Sequence, residues 1–156
     1  MAGPTPGPWR WTPGDEPTHQ ELHEAAFEVG EADKAFSFVT RDFGLVRARA
    51  SAVRHEKSLM RYALQNYAFA NISLVRGKRG WRVAGARARD SLPVIGNTGA
   101  IAAFARISEL VTRLVAGEEK NEYLFETLLH AHHALRAHTQ PEAIEILCVA
   151  RVLFAL

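Results

Sequence analysis

Cysteine is nearly missing from this chain: Cys148 is the only one in 156 residues. A single thiol excludes an internal disulfide framework and any multi-cysteine zinc site within the chain. Long apolar runs are missing as well. None approaches the roughly 20 residues needed to cross a bilayer as a helix. No basic stretch followed by an apolar one opens the sequence, so no secretory signal is read. A cytoplasmic location without a membrane partner is the expectation. The signatures G-x-x-x-x-G-K-[ST] and H-E-x-x-H are both absent, and no nucleophile stands with an activating base. These absences predict a non-catalytic protein with no metal and no cofactor.

Negative charge is the scarcest commodity in one part of the chain. Between Arg41 and Arg89 lie twelve of the nineteen Lys and Arg residues but only two acids, Asp42 and Glu56, so this segment is +10 and the rest −8. The net charge of +2 conceals that division. Such asymmetry points to a polyanionic partner for the basic part. The composition is otherwise ordinary for a folded protein, 47% apolar and 23% charged, with length for one domain or two small ones.

Residues 1–17, MAGPTPGPWRWTPGDEP, are too rich in Pro and Gly for helix or inner strand and predict an arm. Trp9 and Trp11 around Arg10 suit contact with a base or a partner; the plainer reading is a loosely docked tail. Glu21–Glu31 has the length of a strand and the Glu/Ala content of a helix, and its context favours strand. Lys34–Thr40 is aromatic and β-branched and ends at the turn Arg41-Asp42-Phe43-Gly44, where Gly44 can take positive φ. In Leu45–Ser51 the alternation places Val46, Ala48 and Ala50 on one face and Arg47 and Arg49 on the other. Ser58–Gln65 predicts a short helix. Tyr67–Val75 and Trp81–Ala86 read as strands around the glycine-bounded turn Gly77-Lys78-Arg79-Gly80. Short strands with one small helix between the third and fourth suggest a five-stranded OB-type barrel.

Beyond Asn97 the pattern turns helical. Ile101, Phe104, Ile107, Leu110, Val111 and Leu114 recur at three- and four-residue spacing, with Gly117 as the terminator. Asn121 is placed to cap a second helix whose inner face is Leu124, Leu128, Ala131 and Leu135. Pro141 suits the first turn of a third, running through Ile144, Leu147, Val152 and Leu156. This apolar pattern reaches Leu156 without a cap, which predicts an unfinished helix prone to self-association.

Arg and Lys on a strand face neutralise phosphates, and nearby aromatics accept unstacked bases. The aromatics here are Phe43, Tyr62, Tyr67, Phe69 and Trp81; individually each also reads as core. The Gly77–Gly80 turn fits either a cationic tip against a DNA backbone or an ordinary tight turn. His130, His132, His133 and His138 share a helix and His19 and His23 stand four apart, but no further ligand completes a metal set; a solvated face is the simpler reading. Cys148, among Ile146, Leu147 and Val149, reads as a buried thiol.

The chain also resembles the RecO family of DNA repair proteins. The resemblance rests on Gly30-Glu31-Ala32-Asp33-Lys34, on Thr40-Arg41-Asp42-Phe43-Gly44-Leu45-Val46-Arg47-Ala48-Arg49-Ala50, and on Lys57-Ser58-Leu59-Met60-Arg61-Tyr62-Ala63-Leu64-Gln65. It continues through Leu74-Val75-Arg76-Gly77-Lys78 and Gly117-Glu118-Glu119-Lys120-Asn121-Glu122-Tyr123-Leu124-Phe125, covering about Glu24 to Leu156. It implies an OB-fold followed by helices and a recombination mediator. Such a protein binds single- and double-stranded DNA, anneals strands, contacts the single-strand-binding protein and acts with RecR in loading RecA. Two departures stand out: the family usually continues further and often carries a four-cysteine zinc module, and its usual proline after Ala-Leu-Gln is Asn66 here. Part of the contact with the single-strand-binding protein is therefore expected beyond Leu156.

The combined expectation is an α+β protein with an arm at 1–19, an N-terminal OB-fold β-barrel at 20–90 and an all-helical domain at 97–156. Its expected DNA contacts are Arg47, Arg49, Arg54, Lys57, Arg61, Arg76, Lys78, Arg79 and Arg82. The rival expectation is a protein-interaction scaffold whose barrel has lost DNA binding.

Overall fold

The computed structural model describes residues 21–32 by backbone, and 35–50, 60, 63–65, 67–92, 97–137 and 140–156 with side chains. Five strands, β1 (Glu21–Ala32), β2 (Ala35–Thr40), β3 (Gly44–Arg49), β4 (Phe69–Gly77) and β5 (Gly80–Asp90), close a barrel in the order β1-β2-β3-β5-β4. That order, with a parallel β3–β5 seam in an otherwise antiparallel sheet, is the Greek-key closure of an OB-fold. Three helices follow: α1 (Thr98–Leu114), α2 (Glu122–Ala137) and α3 (Pro141–Ala155). The architecture is the α+β arrangement expected from the sequence, and Glu21–Glu31 is strand.

β1 is long because two neighbours share it. Residues Glu21–Phe27 pair with β4 and Ala26–Ala32 with β2, and a register shift between Glu28 and Gly30 bends the strand from one to the other. The β2–β3 turn is held by Thr40, whose Oγ1 accepts from the Phe43 N–H and donates to the Gly44 carbonyl, both at 3.1 Å. Gly44 takes φ +64°, as its position in the turn requires. Between β3 and β4, Met60 and Ala63 are helical and the Leu64 N–H bonds to the Met60 carbonyl at 2.9 Å. Leu64 and Gln65 are already turn and bend, so the helix expected to reach Gln65 ends sooner, and Ser58, Leu59, Arg61 and Tyr62 lie outside the described residues. So does the arm at 1–17.

Two cores result from the alternation of the strands. Phe36, Phe38, Val46, Ala48, Ile72, Leu74, Trp81 and Val83 fill the barrel. Val39, Leu45 and Phe69 point the opposite way and join Leu92 and the inner faces of the helices, including Phe104, Ile107, Phe125, Leu128 and Leu135. Each such side chain contributes roughly 1.5–3 kcal/mol by leaving water, so the helices are bound to the barrel by a continuous apolar joint.

Two asparagines fix the helices to one another while capping them. Asn97 Oδ1 accepts from the Ala100 N–H at 3.2 Å, and its Nδ2 donates to the Leu135 carbonyl at 3.2 Å. Asn121 repeats this, accepting from Leu124 N–H at 2.9 Å and donating to the Ala155 carbonyl at 3.1 Å. The inner face expected for α2 is buried as read.

Three expected core positions are corrected. Leu114 is 42% exposed because α1 ends there, with Val115 already extended; the positive-φ Gly117 falls two residues later. On α3 the buried positions are Cys148 and Val152, while Leu147 and Leu156 are 58% and 59% exposed. Ile146, Leu153 and Phe154 are exposed too. An apolar sequence pattern on every side of a helix cannot say which side is covered.

Candidate nucleic-acid interface

Of the nine cations expected to contact DNA, six lie within the described residues; Arg54, Lys57 and Arg61 lie outside them. Arg47 and Arg49 project from the outer face of β3, exposed, while Val46, Ala48 and Ala50 are buried, as alternation demands. Their cross-strand partners on β2 are Ser37 and Ala35. Short side chains beside long cationic ones leave a trough along this face.

The trough meets the β4–β5 hairpin. Gly77 pairs with Gly80, which takes φ +96°, and Lys78 and Arg79 form the exposed tip. Arg49 and Arg82 are direct neighbours across the parallel seam. Arg49, Lys78, Arg79 and Arg82, with Gly77 and Gly80, line a depression of about 220 Å³. Residues 30 positions apart thereby form one cationic cluster, and among the described residues none of its four cations is ion-paired.

Arg76, on the other arm of the hairpin, has different surroundings. It lies over the Trp81 ring at 5.3 Å and reaches Glu118 at 3.4 Å. Glu118 also accepts from the buried Trp81 indole N–H at 2.7 Å. Arg41 likewise bonds to Glu126 at 2.8 Å and sits over Phe125 at 5.0 Å. Arg76 holds the α1–α2 connector, and Arg41 holds α2, against the barrel, together with Lys120–Asp42 at 2.8 Å and an Arg136–Asp90 pair. Glu118 is the site residue that sequence reasoning missed: it stands 37 residues from Trp81, and no local pattern marks it.

A second opening adjoins the first. Leu45 and Arg47 of β3 face Val115, Ala116, Gly117 and Glu118 of the α1–α2 connector across a cleft of about 380 Å³.

The aromatics divide as their neighbours require. Phe69 and Trp81 are core, Phe43 lies edge-on to Trp81, and Tyr67 packs on Phe104; Tyr62 lies outside the described residues. His130 and His133 are exposed, but His132 is fully buried, 5.5 Å from the Phe104 ring and 6.4 Å from Phe69. The solvated histidine face is thus corrected at His132, whose imidazole burial pushes down to about 4. Among the described residues no three of His, Cys, Asp and Glu gather as metal ligands. Cys148 is buried as read, and burial pushes its thiol up to about 11. No helix of the described residues is long and apolar enough to cross a membrane.

No family model matches the chain. Among curated proteins it is 32% identical over 116 residues to the DNA repair protein RecO of Dehalococcoides mccartyi, covering 74% of this chain and 46% of the relative. It is 31% identical over 131 residues to the RecO of Bifidobacterium longum subsp. infantis, covering 81% of this chain and 54% of that one. With the RecO of Nostoc punctiforme the identity is 25% over 120 residues, 76% of this chain and 40% of the relative. The chain spans about half the length of the curated relatives it matches. A closed five-stranded barrel and three packed helices accompany these similarities: over about three quarters of its length the chain is similar to RecO DNA repair proteins.

Proposed function

We propose that this chain acts in recombinational DNA repair as a non-catalytic mediator that binds single- and double-stranded DNA, anneals strands and assists RecA loading with RecR. The single-strand-binding protein is the further partner expected of a RecO-like protein. The observation that carries the reading is the cationic run from Arg47 and Arg49 to Lys78, Arg79 and Arg82, which has no acidic partner among the described residues. It occupies the β2–β3 face and the β4–β5 loop, the part of an OB-fold that takes oligonucleotides. Phosphates that bind such a surface release their condensed counterions into solution, so binding weakens steeply as salt rises. Arg54, Lys57 and Arg61 belong to the same reading as phosphate contacts, and Arg76 as a weaker one, because Glu118 already shares its charge.

The test is a salt titration of binding to a labelled single strand. Replacing Arg47 and Arg49 together by Ala should weaken binding to every sequence alike and flatten log affinity against log salt by about 0.7 per lost contact. Arg113 and Arg151, exposed on the helices, are the control pair and should leave the slope alone. A double variant with the parental slope and annealing rate would sink the reading.

One observation favours the scaffold reading: the uncovered apolar side of α3, where Phe154 is 84% exposed. Surfaces of this kind serve protein contacts. If the Arg47/Arg49 variant binds DNA normally while Phe154→Ser abolishes self-association or partner capture, α3 and not the barrel carries the function.

A further inference from the structure

The cleft between β3 and the α1–α2 connector borders the cationic trough, yet its chemistry is different. Its floor is apolar, formed by the buried Leu45 with Val115 and Ala116. One rim is Arg47 and the other Glu118. A phosphate would meet the Glu118 carboxylate, so the opening repels the backbone that the neighbouring trough attracts. A neutral, flat, partly apolar group with hydrogen-bonding edges fits both rims. Its volume of about 380 Å³ is that of a small-molecule site.

Glu118 is also held in place. Its Oε1 accepts from the Trp81 indole at 2.7 Å and its Oε2 from Arg76 at 3.4 Å. An ionised carboxylate has about four acceptor positions, so two donors fix its direction and leave lone pairs for a third. What remains is acceptor capacity only. Adenine, cytosine and guanine carry an exocyclic amino group that can donate to it; thymine and uracil offer only a ring N3–H flanked by two carbonyl oxygens, which it repels.

We propose that this cleft receives one unstacked base of a strand whose phosphates lie on Arg47 and Arg49, and that Glu118 makes it favour amino-bearing bases over thymine or uracil. The inference rests on the DNA-binding reading and adds a base preference to it. Arg47 serves both sides, its charge toward the backbone and its guanidinium plane as a stacking surface at the cleft mouth.

The probes are oligo(dC) and oligo(dU), which differ at ring position 4, an amino group in one and a carbonyl in the other. Binding should favour oligo(dC) by about fivefold, the scale of one discriminating hydrogen bond to a base edge. Glu118→Gln keeps an oxygen for Trp81 and replaces an acceptor by an amide donor. It should abolish or reverse the preference without reducing the salt slope, which can only steepen as Arg76 is freed, with the thermal midpoint checked to show that the fold is intact. Equal binding of the two oligomers at a normal salt slope overturns the base site and leaves the phosphate trough standing. A Glu118→Gln variant that binds both more tightly in the same ratio also overturns it, since Glu118 would then be only a repulsive border. Loss of salt-dependent binding to either oligomer in the unaltered protein overturns the DNA-binding reading itself.

Discussion

Arg76 and Arg82 stand on the two arms of one hairpin, and among the described residues only Arg82 has no acid beside it. Arg76 turns toward the α1–α2 connector, lies on Trp81 and meets Glu118; Arg82 turns toward Arg49 and the hairpin tip. The same division runs through the whole barrel. On the covered side Val39, Leu45 and Phe69 take the helices, Arg41 pairs with Glu126 of α2 and Arg76 with Glu118 of the α1–α2 connector. On the open side cations stand beside cations. The difference teaches that a basic segment is not one site: part of its charge fastens the acidic half of the chain to the basic half, and only the remainder is available to a polyanion.

The largest expected effect breaks the covered side. Phe69→Ala removes a ring shared by the barrel and α2, next to Phe125 and His132. It should lower stability by about 3–5 kcal/mol, read as a fall in the denaturant midpoint. Close behind is Gly44→Ala. A Cβ on Gly44 would lie 2.0 Å from the Glu119 carbonyl oxygen, and φ +64° is unfavourable for any side chain. A loss of about 2–4 kcal/mol is expected, with the connector moved off the barrel. A cost below about 1 kcal/mol would mean that the β2–β3 turn and the connector yield easily.

Acid should attack the same joint. His132 is neutral in the folded protein down to about pH 4, mainly because burial penalises its charge, whereas its ordinary value is 6.5. Asp90 nearby favours the charged form; His133 and Arg136 oppose it. Unfolding therefore takes up a proton that the native state refuses. The stability contributed by neutral His132 is complete above pH 6.5 and is lost as pH falls from there to about 4. It amounts to roughly 3 kcal/mol at the acid end. His132→Phe should flatten that limb of the stability–pH curve; an unchanged limb would place the acid sensitivity elsewhere.

Two smaller measurements sharpen the comparison. Arg82→Ala should reduce the salt slope of DNA binding by about 0.7, while Arg76→Ala should change it less and cost at most about 1 kcal/mol of stability. Equal slopes would erase the distinction between the two arms. Cys148 should react with a thiol reagent only on unfolding, since burial both shields it and holds its thiol protonated. Rapid labelling of the native protein would show that α3 separates from its neighbours.

The sequence carries the local part of this architecture well. Alternation in Leu45–Ser51 separates Arg47 and Arg49 from Val46 and Ala48, Gly44 and Gly80 mark their turns, and Asn121 marks its helix. What it does not carry is which outward face another element will cover. Leu45 belongs to the same strand face as Arg47 but is buried, because α1 and its connector arrive from more than fifty residues away. For the same reason Arg76 and Arg82 look alike in sequence, Glu118 goes unnoticed, and His132 cannot be told from His133. Periodicity names the faces of an element; only the tertiary partner decides their surroundings.

Among the described residues the parallel seam between β3 and β5 is short, Ala48 with Trp81 and Arg49 with Arg82. A closed cylinder breathes where its wall is joined by the fewest pairs, so the amides flanking this seam should exchange with solvent sooner than those of the long β4–β5 ladder. The seam also sets two like charges, Arg49 and Arg82, side by side, and their repulsion favours opening. Added salt screens that repulsion, and a phosphate chain laid across both arginines would bridge it. The barrel's weakest closure thus lies under its proposed ligand, and the ligand becomes a fastener: hydrogen exchange at Ala48 and Trp81 should slow when DNA is bound, while exchange in α2 stays as it was.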